Sequence, residues 1–342
     1  TRRAFQNGKL GLSEAEAIGE LLDAKSFEQI KLFGKDSRSR LSAALNGFYQ
    51  RLSSLLSAMF AKIDYPDEDL AELSNQEMDD ALSSLIADMK KLCSTYSTGR
   101  AIAEGIETVL LGKPNTGKSS LYNLLCGKDA AIVTDIAGTT RDVLENTVCL
   151  GRVMLKLSDT AGIRETNDPI EKIGVKKSKE AAEEAGLILC LFNGAEPLTE
   201  EDFVLCEYVM RLEGVKIALL TKSDLPEAAD RAFLEKKFSH VVSVSAVRGD
   251  LGNLTDLIND LFTDGTITVG EDAIVSSARQ HAALSKGISC VETALRSLRA
   301  GFPFDALASD LEMASIALSE TDGRGVSEDV VAGIFSKFCV GK

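Results

Sequence analysis

Thr108 to Gly112 reads TVLLG, Lys113 to Ser119 continues as KPNTGKS, and Ser120 to Gly127 follows as SLYNLLCG. A β-rich apolar run, then G-K-P-N-T-G-K-S, then a helical pattern is the strand–loop–helix order in which a glycine-rich loop wraps phosphate groups. Gly112 and Gly117 let the backbone come close, and the main-chain amides of Asn115, Thr116, Gly117 and Ser120 are available as donors. Lys118 is placed to reach the terminal phosphates and Ser119 to ligate magnesium. By residue usage alone the eight-residue pattern arises by chance in on the order of one chain in a hundred of this length. The strand before it and the helix after it make chance a poorer explanation still.

Outward from this loop, residues 104–264 read as one α/β domain. TVLLG, VMLKLSD, LILCLF, IALLT and VVSVSA are short, nearly continuous apolar runs separated by helix-length segments. That pattern predicts strands buried on both faces of a mainly parallel sheet. Residues 1–103 and 265–342 read instead as helical. Leu41, Leu45, Phe48, Leu52, Leu55, Met59 and Ile63 recur at three- to four-residue spacing and predict one long amphipathic helix. Ser74 and Glu77 are spaced as a capping box ahead of a second stripe, Met78, Leu82, Leu85, Met89 and Leu92. Ser13 and Glu16 carry the same spacing near the start. The expected architecture is an α/β domain inserted between two helical segments that pack into one bundle.

Three further motifs follow the loop in order. Asp159-Thr160-Ala161-Gly162 ends a strand and puts a carboxylate near magnesium, through water. Thr221-Lys222-Ser223-Asp224 ends a later strand, where a carboxylate accepts two hydrogen bonds from the N1–H and 2-amino edge of guanine. Adenine has no such pair of donors, so the motif selects GTP. Ser245-Ala246 ends the next strand, where a backbone amide meets the guanine oxygen. Each motif is weak alone, but four in register read as a GTPase.

Two departures from the Ras-like pattern stand out. Ile163 occupies the position where Ras-like proteins carry a water-orienting glutamine. Glu171, in DPIEKIG, is the candidate replacement, although from spacing alone an exposed charge explains the residue better. Thr221 stands where asparagine is usual, and its shorter hydroxyl is expected to loosen nucleotide binding without changing the base.

The 342 residues carry a net charge of −14, and none of the three segments is basic, which argues against a self-sufficient nucleic-acid binder. Seven cysteines form no C-x-x-C pair and only two histidines occur, so zinc clusters and disulfide scaffolds are not expected. The longest apolar stretch, Leu187–Phe192, is far short of a membrane span. No membrane association and a cytoplasmic location are expected. The opening TRRAFQNGK has no initiator methionine or signal peptide, suggesting a start inside a longer protein.

GKPNTGKSS, VTDIAGTTRDV, DTAGIRE, IEKIG and the terminal FCVGK together resemble the MnmE (TrmE) family of tRNA-modification GTPases, as does the RAFQNGK start. The resemblance covers the whole chain and implies a Ras-like P-loop GTPase domain inserted into an all-α helical domain. It implies potassium held by Asn115 with Thr134, Ile136 and Thr139, within a nucleotide-facing loop that includes Asp135, Ala137 and Gly138. Thr140 would join Ser119 on magnesium, and Glu171 would position the attacking water when two G domains meet. The family's N-terminal dimerising domain, which binds most of a 5-formyltetrahydrofolate, is missing here, leaving Lys9 and Lys342 as this chain's folate contacts. The implied activity is potassium-activated GTP hydrolysis driving carboxymethylaminomethyl modification of the tRNA wobble uridine. The implied partners are a flavin-dependent subunit of the MnmG/GidA family, tRNA and a second copy of the chain.

For Cys339 the residues themselves favour packing, beside Ile334, Phe335 and Phe338, whereas the resemblance implies a part in the uridine chemistry. Two other readings stay open. An Era-like ribosome-assembly GTPase would need an RNA-binding G-x-x-G loop in basic surroundings, and the stretch that follows the Ser245-Ala246 motif, Gly249-Asp250-Leu251-Gly252, is acidic. A nucleotide-gated scaffold that binds GTP without turnover is the second.

Overall fold

The computed structural model describes residues 2–7, 9, 11–64, 74–128, 146–158 and 180–321. The chain divides into two compact units, one of residues 1–103 with 264–342 and one of residues 104–263. Helices α1 (Arg2–Gln6), α2 (Leu12–Leu22), α3 (Phe27–Phe33), α4 (Lys35–Asp64), α5 (Asn75–Ser94) and α6 (Tyr96–Ala103) come first. The second unit runs β1 (Ile106–Leu111), α7 (Lys118–Lys128), β2 (Asn146–Leu150), β3 (Val153–Leu157) and β4 (Leu187–Asn193). It continues through α8 (Glu200–Met210), β5 (Val215–Thr221), α9 (Arg231–Lys237), β6 (Val241–Ser243) and α10 (Leu254–Phe262). Helices α11 (Ala278–Arg299) and α12 (Phe304–Thr321) return to the first unit.

In the helical unit, one core joins both halves of the chain: Leu52, Met59, Met78, Leu82 and Met89 pack with Leu284, Val291, Leu307 and Leu311. The Ser74 cap forms as its spacing predicts. Ser74 Oγ accepts from the Glu77 amide at 3.1 Å, and Glu77 Oε2 accepts from the Ser74 amide at 2.9 Å. All five residues of the α5 stripe are buried. The α4 stripe is read less well. Leu56 is buried where Leu55 was expected, and Ile63 stays 39% exposed. A 3.6-residue period drifts off any fixed spacing over so long a helix.

The spacing of Ser13 and Glu16 misleads. The cap of α2 is made by Glu14, whose Oε2 accepts from the Gly11 amide at 2.9 Å. Glu16 pairs with Arg279 of α11 at 2.7 Å, and Ser13 Oγ donates to the Thr321 carbonyl at 2.7 Å. A tertiary partner 263 residues away has claimed the expected capping carboxylate.

Within the other unit, the sheet order is β2-β3-β1-β4-β5-β6. The β3–β1, β1–β4, β4–β5 and β5–β6 pairs are parallel, as predicted. Every residue of central β4 is buried, which explains its unbroken apolar run. Strand β2, absent from the sequence reading, pairs antiparallel with β3 at the sheet edge. Their turn needs Gly151, whose φ is +64° and whose missing Cβ makes room for the Asn259 side chain. Cys190 and Cys206 lie in the core beside Phe192 and Val209. Burial pushes the Cys206 thiol up to about 11 and that of Cys190 well above its ordinary value, so both act as packing groups.

The return segment of the helical unit is stitched to the end of α5 and to α6 by two side-chain hydrogen bonds and a close backbone approach. Thr95 Oγ1 accepts from the Val275 amide at 3.0 Å, and Thr98 Oγ1 accepts from the Asp264 amide at 2.9 Å. Between them, a Cβ on Gly99 would stand 2.1 Å from the Val275 carbonyl oxygen. Gly99→Ala is therefore expected to destabilise the helical unit by about 1–3 kcal/mol, because backbone rather than a flexible side chain must move. A denaturant midpoint equal to that of the wild type would contradict this packing.

Candidate functional site

The site is built on the C-terminal ends of β1, β4 and β5, where adjacent parallel strands turn out of the sheet. From β1 the chain enters residues 112–117 and then α7. A Cβ on Gly112 would lie 2.8 Å from both the Leu191 carbonyl oxygen and Thr116 Oγ1, so only glycine lets the loop leave β1 against β4. Gly117 has φ +93° and Asn115 φ +63°, the second a left-handed conformation that asparagine tolerates better than most residues.

Lys118 Nζ donates to the carbonyls of Gly112 at 2.7 Å and Lys113 at 2.8 Å, so its ammonium is held over the loop. Burial lowers its pKa from the ordinary lysine value. Thr116 is buried, and its hydroxyl donates to the Lys113 carbonyl at 2.9 Å. Asn115, Ser119 and Ser120 are exposed. Free amides at the start of α7 and its helix dipole complete an anion cradle with Lys118.

From β5 comes Thr221, which is 5% exposed. Its hydroxyl lies 2.7 Å from the Thr116 carbonyl and 3.0 Å from the Phe192 carbonyl, with one proton to give to the two. Thr221 therefore touches the phosphate loop directly, although it is shorter than the usual asparagine. Lys222 follows with φ +58°, and the Ser223 amide donates to the Val244 carbonyl at 3.1 Å. This turn brings Asp224 to Ser245, whose hydroxyl donates to Asp224 Oδ1 at 2.6 Å. That hydrogen bond is the first cause holding the Asp224 carboxyl below its ordinary range. The carboxylate is therefore charged near neutral pH and can accept from a pair of N–H donors.

Residues 245–252 close tightly. Ser245 and Asp250 exchange backbone hydrogen bonds at 2.8 and 2.9 Å, and Asp250 Oδ1 accepts from the Gly252 amide at 2.8 Å. Ala246 lies inside this turn, as does the Gly249–Gly252 stretch considered above as an RNA-binding loop.

The structure thus brings Asn115, Thr116, Gly117, Lys118, Ser119 and Ser120 to the strand ends that carry Thr221, Lys222, Ser223, Asp224, Ser245 and Ala246. Thr134, Asp135, Ile136, Ala137, Gly138, Thr139, Thr140, Asp159, Thr160, Ala161, Gly162, Glu171, Cys339 and Lys342 lie outside the described residues. Lys9 is exposed, in the helical unit. Two residues further on begins a cavity of about 780 Å³, lined by Glu14, Glu20, Lys35 and Arg38 among others, whose mixed charges select no ligand class. No helix among the described residues is long and apolar enough to cross a membrane.

Sequence reasoning missed the contacts of Lys113. Its Nζ donates to Asp202 Oδ2 at 2.7 Å and to Thr199 Oγ1 at 3.1 Å, at the start of α8. The T-x-x-D spacing of a helix cap, Thr199 to Asp202, was the available signal.

A family model described as the MnmE helical domain matches residues 12–339. The protein named "tRNA modification GTPase MnmE" of Streptococcus agalactiae serotype Ia is 37% identical over 345 residues, covering 100% of this chain and 74% of the relative. Its namesake from Acetivibrio thermocellus is 35% identical, covering 100% of this chain and 75% of the relative. Among solved structures, a point variant of Aquifex aeolicus Era bound to GDP.AlF4- is 20% identical over 54% of this chain and 65% of its own, with a TM-score of 0.34, a likeness too slight to weigh. Family model and whole-length relatives agree, and the chain belongs to the MnmE family of tRNA modification GTPases.

Proposed function

We propose that this chain is a GTP hydrolase whose cycle drives modification of the wobble uridine of tRNA. The observation that carries the nucleotide half is the Thr221–Thr116 hydrogen bond, which joins a phosphate cradle to a guanine-reading carboxylate. Lys118 and the α7 amides would hold the phosphates, while Asp224, oriented by Ser245, would accept from guanine. Asp159 through Gly162 would follow the state of the terminal phosphate.

Two cations would complete the proposed site. The Ser119 hydroxyl, at the start of α7, would meet magnesium with Thr140 and, through water, Asp159. The exposed Asn115 amide oxygen would meet potassium with Thr134, Ile136 and Thr139. When bound, both ions place positive charge against the phosphates and offset what develops as the phosphoryl group is transferred. With Ile163 unable to orient water, Glu171 would take that part when two G domains meet.

The uridine step is proposed to add a carboxymethylaminomethyl group at C5, with a flavin-dependent MnmG/GidA-type subunit and a 5-formyltetrahydrofolate touched by Lys9 and Lys342. Cys339 would act there, and wobble-uridine content in cells carrying Cys339→Ser reads that step. A net charge of −14 with no basic segment supports a two-subunit reading, since another surface must supply most of the contacts to tRNA phosphates.

Phosphate release should rise when sodium is exchanged for potassium, and Asn115→Ala should abolish the difference. Glu171→Ala should slow release on the order of a hundredfold while nucleotide still binds. Equal rates in the two salts would remove the potassium assignment, and no release in either would favour the scaffold reading. Separately, Asp224→Asn should shift preference from guanosine to xanthosine nucleotides, because an amide donates where the carboxylate accepted. GTP affinity unaltered in that variant would show that another group reads the base.

A further inference from the structure

The phosphate loop contains two lysines, and only Lys118 is held over it. Lys113 directs its charge to the neighbouring element, where its ammonium meets Asp202 and Thr199 at the start of α8. Its side chain is 16% exposed and that of Asp202 only 2%. Asp202 Oδ2 also accepts from the Thr199 amide at 2.8 Å and from the Thr199 hydroxyl at 2.9 Å. Having given its one proton to Asp202, the Thr199 hydroxyl can only accept from Lys113. The other carboxylate oxygen, Oδ1, is buried with no hydrogen-bond partner.

We propose that Asp202 and Thr199 are positioning residues for the phosphate loop, acting through Lys113; this rests on reading residues 112–119 as that loop. Residue 113 is gripped at both ends. Its ammonium is fixed in the cap of α8, and its carbonyl accepts from Lys118 Nζ at 2.8 Å and from the Thr116 hydroxyl at 2.9 Å. A shift of residue 113 would therefore remove one of the two carbonyls that orient the phosphate-binding ammonium. The residues that follow absorb little of such a shift: Pro114 has a ring-locked φ, and Asn115 already sits at φ +63°.

The pair also has a charge argument. Burial alone would raise the Asp202 pKa, but the bonds from Lys113 and Thr199 outweigh it and hold the carboxyl below its ordinary range. Without Lys113, a bare carboxylate would lie beside a site built for polyphosphate. With it, the pair is neutral, and of the two lysines of the loop Lys118 is the one without a carboxylate partner among the described residues.

The test uses the full chain, with the folded fraction checked by circular dichroism and the dissociation constant for a fluorescent GDP analogue measured per folded molecule. Lys113→Met and Asp202→Asn should each weaken binding by about tenfold or more, the scale of a lost charged hydrogen bond. The double variant should be no weaker than the worse single one, since both remove one interaction. Lys113→Arg, which keeps the charge and the donors, should stay close to the wild type. Should Lys113→Met not fold because it strands Asp202, Asp202→Asn and the double variant leave no buried carboxylate unpaired and carry the same comparison. Folded variants that bind GDP as tightly as the wild type would overturn the proposal and leave an ion pair that only stabilises the fold. Failure of the wild type itself to bind GDP would instead overturn the phosphate-loop reading beneath it.

Discussion

One hydroxyl proton, on Thr221, joins the two halves of the proposed nucleotide site. It lies within reach of the Thr116 carbonyl in the phosphate loop and the Phe192 carbonyl near the end of β4, both on buried residues. The backbone of the same residue is also held: the Gly194 amide donates to the Thr221 carbonyl at 2.9 Å, and a Cβ on Gly194 would stand 2.7 Å from that oxygen. Three strand ends thus converge on one threonine. The loop that begins at Lys222 inherits its starting point from Thr221, and with it the separation between Asp224 and the phosphate cradle. If one nucleotide spans both, as proposed, the spacing of these two loops is set before it binds.

An acidic chain that binds a polyanion needs its favourable field to be local. At physiological salt, charges farther apart than about 8 Å are largely screened, so the chain's overall −14 matters less at the loop than Lys118, the α7 amides and the neutralised Lys113–Asp202 pair. The same screening separates the nucleotide question from the tRNA question. Phosphates of a single nucleotide fit inside one cradle, whereas a tRNA backbone calls for an extended basic surface, and none of the three segments of this sequence is net basic.

Legibility in the sequence followed how local each cause was. The phosphate loop was readable because its glycines, lysine and serine answer to a ligand of fixed shape within eight consecutive residues. The α5 stripe was readable because one helix face meets one core, and the Ser74 cap was readable because Glu77 turns back onto Ser74. Glu16 matched the same capping spacing but was taken by Arg279. Strand β2 escaped because an edge strand needs only its partner β3, not an unbroken apolar run. The T-x-x-D spacing marked the cap of α8, but the Lys113–Asp202 contact joins residues 89 positions apart and depends on the packing of α8 beside the loop. Thr221 was flagged as a departure from asparagine, but its reach to both carbonyls is a property of the β4–β5 register, in which Asn193 stands opposite it.

The central claim is that this threonine makes the base-reading and phosphate-binding loops one unit, and the dissociation rate of GDP from a Thr221→Val variant tests it most directly. Valine keeps the shape and removes the proton, leaving buried carbonyls without that donor at a cost of about 1–3 kcal/mol, to which the bound state is the more sensitive. The account predicts GDP release at least about fivefold faster than wild type in a variant that remains folded. Release at the wild-type rate would contradict it, and would mean that the two loops hold their spacing without Thr221.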